Sequence, residues 1–293
     1  ESGTLTARLK TQLVGILPEK SRYPIKLPIR ITPEIEEMLR DAEIEMDRIA
    51  EKVADESQMA GLVATKGSAE HAGRVIDIIA GIPKSSPEFY EISRLRKRLA
   101  ILKAPYVARY VIDECEEEDA GDGLTPEERP KLVIAGHHKE ALAIIRDDLE
   151  RRYPGSTLLY DGSVTSDKKR KQIVEDFQTN PRKRFILLSL SGSTGITLTA
   201  AYRLYAAEMF WDPTDQAQME DRIYRLGQEM PCEIGYMFVA NSYDLRVGMV
   251  MIRKMETLNQ LYHAPDLTGK TISQSVSQFR KAREGGELSM TGV

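Results

Sequence analysis

Between Phe210 and Gln228 the chain reads FWDPTDQAQMEDRIYRLGQ, with Arg222 and Arg225 three residues apart and Gln218 four residues before the first. On a helix these three side chains leave from one side, because neighbours on a helical face recur every three or four residues. Two guanidiniums fixed in this way offer planar forks of donors with permanent charge. That suits the oxygens of a phosphoryl group in transfer. A bare Arg-x-x-Arg is ordinarily the solvated edge of an amphipathic helix. The Trp211-Asp212-Pro213 lead-in and the Gly227-Gln228 stop favour a specialised segment instead.

Three more segments carry residues fit for a phosphate chain. Gly136-His137-His138-Lys139 lies between an apolar run and a helical pattern, where the free amides at a helix start attract anions. Capping or packing is an equally good reading of the two histidines. With no cysteine nearby, zinc is disfavoured. Asp161-Gly162-Ser163 follows the next apolar run, with Arg170 and Phe177 downstream. Ser191-Gly192-Ser193-Thr194-Gly195-Ile196-Thr197 combines glycines, which let backbone amides come close, with hydroxyl donors. Alone, such a turn is usually only a turn.

The elements around these segments form a recognisable order. From Pro130 onward strands alternate with helices, the pattern of a parallel α/β sheet. Strands are expected over Lys131–Gly136, Thr157–Tyr160, Arg184–Ser189, Leu204–Ala207 and Glu233–Val239, with a basic helix from about Ser166 and a closing helix from about Ser242 to Leu261. In such sheets ligands collect at the carboxyl ends of the strands. Upstream the chain is helical. Thr32-Pro33-Glu34 opens a helix to about Gln58, a second runs from Ser68 to Ile79, and a third starts at Ser86-Pro87 and carries Arg94, Arg96, Lys97 and Arg98. Ala104-Pro105 opens a fourth, and the acidic stretch Glu116 to Glu128 reads as an exposed loop. The first residues, Arg8-Leu-Lys10 to Pro28, have a helical beginning and an extended, alternating end.

Composition narrows the function classes. The 293 residues are 41% hydrophobic and 29% charged, ordinary for a globular protein, and leave ample chain to bury a core. No apolar run reaches the length of a membrane span and the start is no signal peptide, so no membrane partner is expected. Two cysteines, Cys115 and Cys232, are too few for a disulfide framework or a zinc site and favour a reduced, intracellular setting. The net charge of −4 argues against tight autonomous DNA binding. Basic clusters at 94–98, 168–171 and 182–184 read individually as solvated faces and loop ends.

Taken together, Arg222-x-x-Arg225-x-Gly227-Gln228 with its Trp-x-Pro lead-in resembles motif VI of superfamily two helicases, in the form used by Swi/Snf-type ATP-dependent DNA translocases. Met219 stands where that family usually has Ala. The 136–139 segment resembles motif IV, particularly in the annealing-helicase branch, and 191–199 resembles motif V without its usual arginine and one of its glycines. The resemblance implies a RecA-like parallel sheet flanked by helices, the C-terminal lobe of a two-lobed enzyme, preceded by an α-helical protrusion. It divides the chain into an inter-lobe linker (1–30), the protrusion with its lead-in helix (31–128), the lobe (129–262) and a tail (263–293). It assigns Arg225 and Arg222 to the γ-phosphate of ATP, Arg225 as the finger itself, with Gln218 orienting phosphate or water and Gly195 near the nucleotide. It assigns His137, His138, Lys139, Gly162, Ser163, Arg170, Ser191, Gly192, Ser193, Thr194 and Trp211 to the backbone of double-stranded DNA, read without regard to sequence. ATP with Mg2+ would bind only with the N-terminal lobe, which is expected upstream of this chain, so the chain alone is expected to be inactive. The setting would be nuclear in a eukaryote and cytoplasmic in a bacterium or virus.

Two other readings compete. One is a non-enzymatic single lobe that binds DNA or a partner protein, or regulates an ATPase on another chain. The other is a self-contained NTPase, since Ala264-Pro-Asp-Leu-Thr-Gly269-Lys270-Thr271 imitates a phosphate loop and Val111-Ile-Asp113-Glu114 an acidic magnesium motif. A phosphate loop must join a buried strand to a helix. Residue 264 instead follows a helical pattern, and the acidic pair comes first in the chain, the reverse of the usual order.

Overall fold

In a computed structural model the described residues are 17–56, 69–83, 85–121, 125, 128–189, 195–210, 212–240, 242–245, 248, 251 and 255. The elements that position the site are six parallel strands: β1 (Lys20–Lys26), β2 (Lys131–Gly136), β3 (Thr157–Tyr160), β4 (Phe185–Ser189), β5 (Ala201–Ala206) and β6 (Cys232–Phe238). They lie in the order β1-β6-β5-β2-β4-β3. The central strands read as continuous apolar runs because both of their faces are covered: every residue of β4, and Leu132 to Gly136 of β2, is buried. Alternation along each strand divides the core. Leu132, Ile134, Phe185, Leu187, Tyr205 and Met237 face one cluster, and Val133, Ala135, Ile186, Leu188, Leu204 and Tyr236 the other.

Helices α1 (Pro33–Glu56), α2 (Ala69–Ala80), α3 (Pro87–Gly121), α4 (Lys139–Arg152), α5 (Asp167–Thr179) and α6 (Pro213–Glu220) complete the described elements. α4 and the second half of α3 cover the first face through Ala141, Leu142, Ile145 and Leu149 and through Ala104, Val107, Ala108 and Val111. Phe177 of α5 and Met219 of α6 join the second face. That cluster continues into α1, α2 and the first half of α3 through Leu39, Met46, Ile49, Val75, Ile79 and Leu95. Gly235 of β6 is required by close approach, since a Cβ there would lie 2.4 Å from Ile25 Cδ1 and 2.8 Å from Tyr205 Cδ1.

Two expectations are corrected. Pro105 does not open a helix; it lies inside α3, which runs unbroken for 35 residues. Proline removes the bond to the carbonyl four residues earlier, here that of Ile101, an exposed residue. Meanwhile Ala104, Val107 and Ala108 are wholly buried and hold the helix to the sheet. The acidic stretch is helix to Gly121, and its carboxylates are engaged. Glu118 binds Arg203 at 2.6 Å, Asp119 binds Arg184 at 3.0 Å and Glu116 binds Arg152 at 2.6 Å. Arg184 is therefore a buried ion-pair partner and not a solvated loop end. Lys20–Lys26, in the extended end of the 1–30 segment, forms the edge strand of the sheet, paired with β6 from Lys20↔Cys232 to Lys26↔Phe238. The expected closing helix and tail lie largely outside the described residues.

Candidate functional site

α6 begins under orthodox signals: Pro213 occupies its first turn and the Asp212 carboxylate accepts the Thr214 amide at 2.7 Å. It ends at Glu220, so Arg222 and Arg225 sit on the turns that follow and not on one helical face. The reason is local. The Leu198 amide takes the Arg222 carbonyl at 2.8 Å, and the amides of Arg222 and Ile223 reach back only three residues, to Met219 and Glu220. Gly227, at φ +94, supplies the left-handed residue that reverses the chain. Buried Gln228 then clasps the turn to the preceding segment: its Nε2 donates to the carbonyls of Thr199, Ala201 and Ile223, and its Oε1 accepts from the amides of Glu229 and Met230.

This architecture places the two guanidiniums differently. Arg225 is half-buried and its Nη1 donates to the Ile196 carbonyl and to Thr197 Oγ1, each at 3.0 Å. Arg222 is only 6% exposed, and its buried Nε has no hydrogen-bond partner. Burial first, and the charge of Arg225 second, push the Arg222 guanidinium below its ordinary pKa. An unmet buried donor costs about 1–3 kcal/mol, and an anionic oxygen arriving there would remove that cost. Gln218 is exposed near the end of α6, and Gly195 is exposed at φ +81 beside Ile196.

Beneath the turn is a buried charge cluster. Glu220 is wholly buried and receives Arg22 Nη2 at 2.8 Å, Lys20 Nζ at 3.3 Å and the Tyr236 hydroxyl at 2.5 Å. Burial alone would raise its pKa; the charges of Arg22 and Lys20 outweigh burial and hold it down at about 2. Lys20 also lies 4.0 Å from Asp221 and 4.5 Å from the centre of the Tyr224 ring. Strand β1 is thus tied to the residue two before Arg222.

At the carboxyl ends of β2 and β3 the loops meet. Lys139 Nζ is 3.9 Å from Asp161 Oδ2, and Asp161 Oδ1 accepts the Ser163 amide at 2.8 Å and its hydroxyl at 2.5 Å. Burial raises the Asp161 pKa, but the Ser163 bonds prevail and lower it. His137, Lys139 and Ser163 are exposed and Gly162 is half-buried, whereas Arg170 spends its Nε on the Val164 carbonyl at 2.7 Å. The amides of His137 and His138 are not free as expected: Glu208 accepts both. Ser191, Gly192, Ser193, Thr194 and Trp211 lie outside the described residues, as do Gly269, Lys270 and Thr271. Glu114 of the magnesium-motif mimic receives the hydroxyls of Tyr110 and Tyr205, and Asp113 pairs with Arg109, so both are engaged structurally.

Sequence reasoning passed over Glu208, Glu220, Lys20 and Arg22, and took Arg96 for part of a solvated basic face, whereas it donates to the Met209 carbonyl. A lone acid in the apolar strand-end run Ala206-Ala207-Glu208-Met209-Phe210 was a usable signal for the first. Nothing in an amphipathic stretch marked Glu220, whose partners come from about 200 residues away.

The six-stranded parallel sheet flanked by helices matches a RecA-like helicase C-terminal lobe, and residues 118–227 match the helicase conserved C-terminal domain family. The chain is 34% identical over 162 residues to the SWI/SNF-related matrix-associated actin-dependent regulator of chromatin subfamily A-like protein 1 of Drosophila melanogaster, covering 54% of this chain and 21% of that protein. It is 29% identical over 200 residues to the DNA annealing helicase and endonuclease ZRANB3 of Homo sapiens, covering 66% of this chain and 16% of that protein. The Sulfolobus solfataricus SWI2/SNF2 ATPase core in complex with dsDNA shares the fold, with a TM-score of 0.50 at 20% identity over 90% of this chain and 50% of that one. The chain carries a helicase C-terminal lobe of the Swi/Snf type, with a RecA-like fold. It spans about a quarter or less of the length of the two curated relatives just described. No described helix is long and apolar enough to cross a membrane.

Proposed function

We propose that the chain serves as the second ATPase lobe of an ATP-dependent double-stranded DNA translocase. Arg225 and Arg222 complete a nucleotide pocket whose phosphate-gripping loop belongs to an N-terminal lobe, and Gln218 and Gly195 line its near edge. Among the described residues no group of three His, Cys, Asp or Glu side chains could hold a metal ion. In this reading Mg2+ arrives with the nucleotide and the other lobe. The observation that carries the reading is the arginine pair itself: one guanidinium anchored by Thr197 and the Ile196 carbonyl, the other buried with an unmet Nε. Such an array is preorganised for developing phosphoryl charge, and lobe closure would bring it to the substrate. His137, Lys139, Gly162 and Ser163, and residues 191–194, would follow the DNA backbone without reading bases. In this scheme the 1–30 segment links the lobes, 31–128 forms the protrusion, 129–262 the lobe proper and 263–293 a tail, with β1 as the linker's contribution to the sheet. The test is Arg225→Ala in the full-length protein. Loss of DNA-stimulated ATP hydrolysis with an unchanged melting temperature is expected, and unchanged turnover removes Arg225 from the role.

A further inference from the structure

Glu208 lies two residues beyond the end of β5, beside the start of the 137–139 loop, and only 5% of it is exposed. Its Oε1 accepts the amides of both His137 and His138 at 2.9 Å, and its Oε2 lies 2.6 Å from His138 Nδ1. One carboxylate thus holds the loop at three points. Room for it is provided by Gly136, where a Cβ would fall 3.3 Å from Glu208 Oε1 and 2.9 Å from Leu142 Cδ2. Burial raises the Glu208 pKa, but the His138 ring and the charge of Arg96 prevail and hold it at about 2. A carboxylate brings no proton to the contact, so Nδ1 of His138 carries it and the ring is fixed in one orientation. Arg96, from the first half of α3, donates from Nη2 to the carbonyl of the next residue, Met209, at 2.5 Å.

From this geometry we infer that Glu208 is the positioning residue of the DNA-facing 137–139 loop, and that Arg96 extends the hold to α3. The inference rests on the translocase reading above. An internal anion occupies the two amides that lead into α4, those of His137 and of the N-cap His138. Contact with DNA from this loop is thereby shifted to the side chains of His137 and Lys139, which the bonds to Glu208 keep aimed outward. Glu208 itself meets no substrate. Its removal should loosen DNA engagement and leave nucleotide chemistry alone.

The experiment uses the full-length protein and measures ATP turnover against the concentration of a plain duplex at fixed salt, with melting temperature in parallel. Glu208→Ala should raise the half-saturating DNA concentration roughly tenfold, the scale of lost charge-assisted bonds. Turnover at saturating DNA and KM for ATP should stay as in the wild type. Glu208→Gln, which keeps an acceptor for the amides, and Arg96→Met should each give a smaller rise, and these two decide the matter should Glu208→Ala fail to fold. Unchanged half-saturation in DNA-stimulated protein, whatever the melting temperature, overturns the inference alone. Wild-type turnover indifferent to DNA overturns the translocase reading and the inference with it.

Discussion

Glu208 and Glu220 are both buried and ionised, both held at about 2 by neighbouring cations or donors, yet they secure different kinds of object. Glu208 binds mainly backbone amides and one imidazole, all within a single loop next to its own strand. Glu220 binds only side chains, from the edge strand β1 and from β6, and so fastens the base of the arginine turn to the far side of the sheet. The difference shows how position can be set in two ways. A loop that exposes its side chains is gripped by its main chain, whereas the turn that carries the two arginines is anchored through the core.

The largest expected effect separates anchoring from chemistry. Arg225→Ala leaves the Glu220 cluster intact and should cut DNA-stimulated ATPase by about 10³-fold, the lower end for an arginine finger, without lowering the melting temperature. Next, Glu220→Ala strands Lys20 and Arg22 without their anion and should cost about 4 kcal/mol by denaturant unfolding, as for other broken buried pairs. Glu208→Ala, which frees a loop nearer the surface, should cost less than half of that; equal losses would erase the distinction drawn here.

Acid then probes both together. Each glutamate has a folded pKa below the ordinary carboxylate value of 4.5, so each contributes stability above that value that is lost as pH falls from 4.5 towards 2. Circular dichroism should show unfolding within this window. Glu220→Gln should lessen the pH dependence by up to about 3 kcal/mol, the linkage expected for such a shift. The smallest effect is a control beside Arg96. Lys97 reaches Glu140 at 2.5 Å between exposed side chains, and Lys97→Ala should change stability by no more than about 0.5 kcal/mol and leave half-saturating DNA almost unmoved.

Much of the fold could be read because burial on both faces writes itself into sequence. β2 and β4 are unbroken apolar runs, and the spacing of Ala141, Leu142, Ile145 and Leu149 announces α4. What was misread depended on partners distant in sequence. Pro105 reads as a helix start until Ala104 and Val107 are seen packed against the sheet. Glu116, Glu118 and Asp119 read as a solvated loop until Arg152, Arg203 and Arg184 are found beside them. The arginine pair was legible as chemistry but not as geometry, because the bond from Leu198 that ends the helical ladder comes from 24 residues upstream. The role of Lys20 and Arg22 as partners of Glu220 was not legible, because the two segments lie about 200 residues apart.

The uninterrupted course of α3 has one more consequence. A rod of 35 helical residues is about 50 Å long. Arg96 grips the β5 end of the sheet from its first half, and Glu118 and Asp119 grip Arg203 and Arg184 near its last turn. Fastened at two distant points and lacking a joint, such a spar converts a push at its outer end into rotation instead of bending. Load placed on the first half of α3 would therefore reach the sheet as torque.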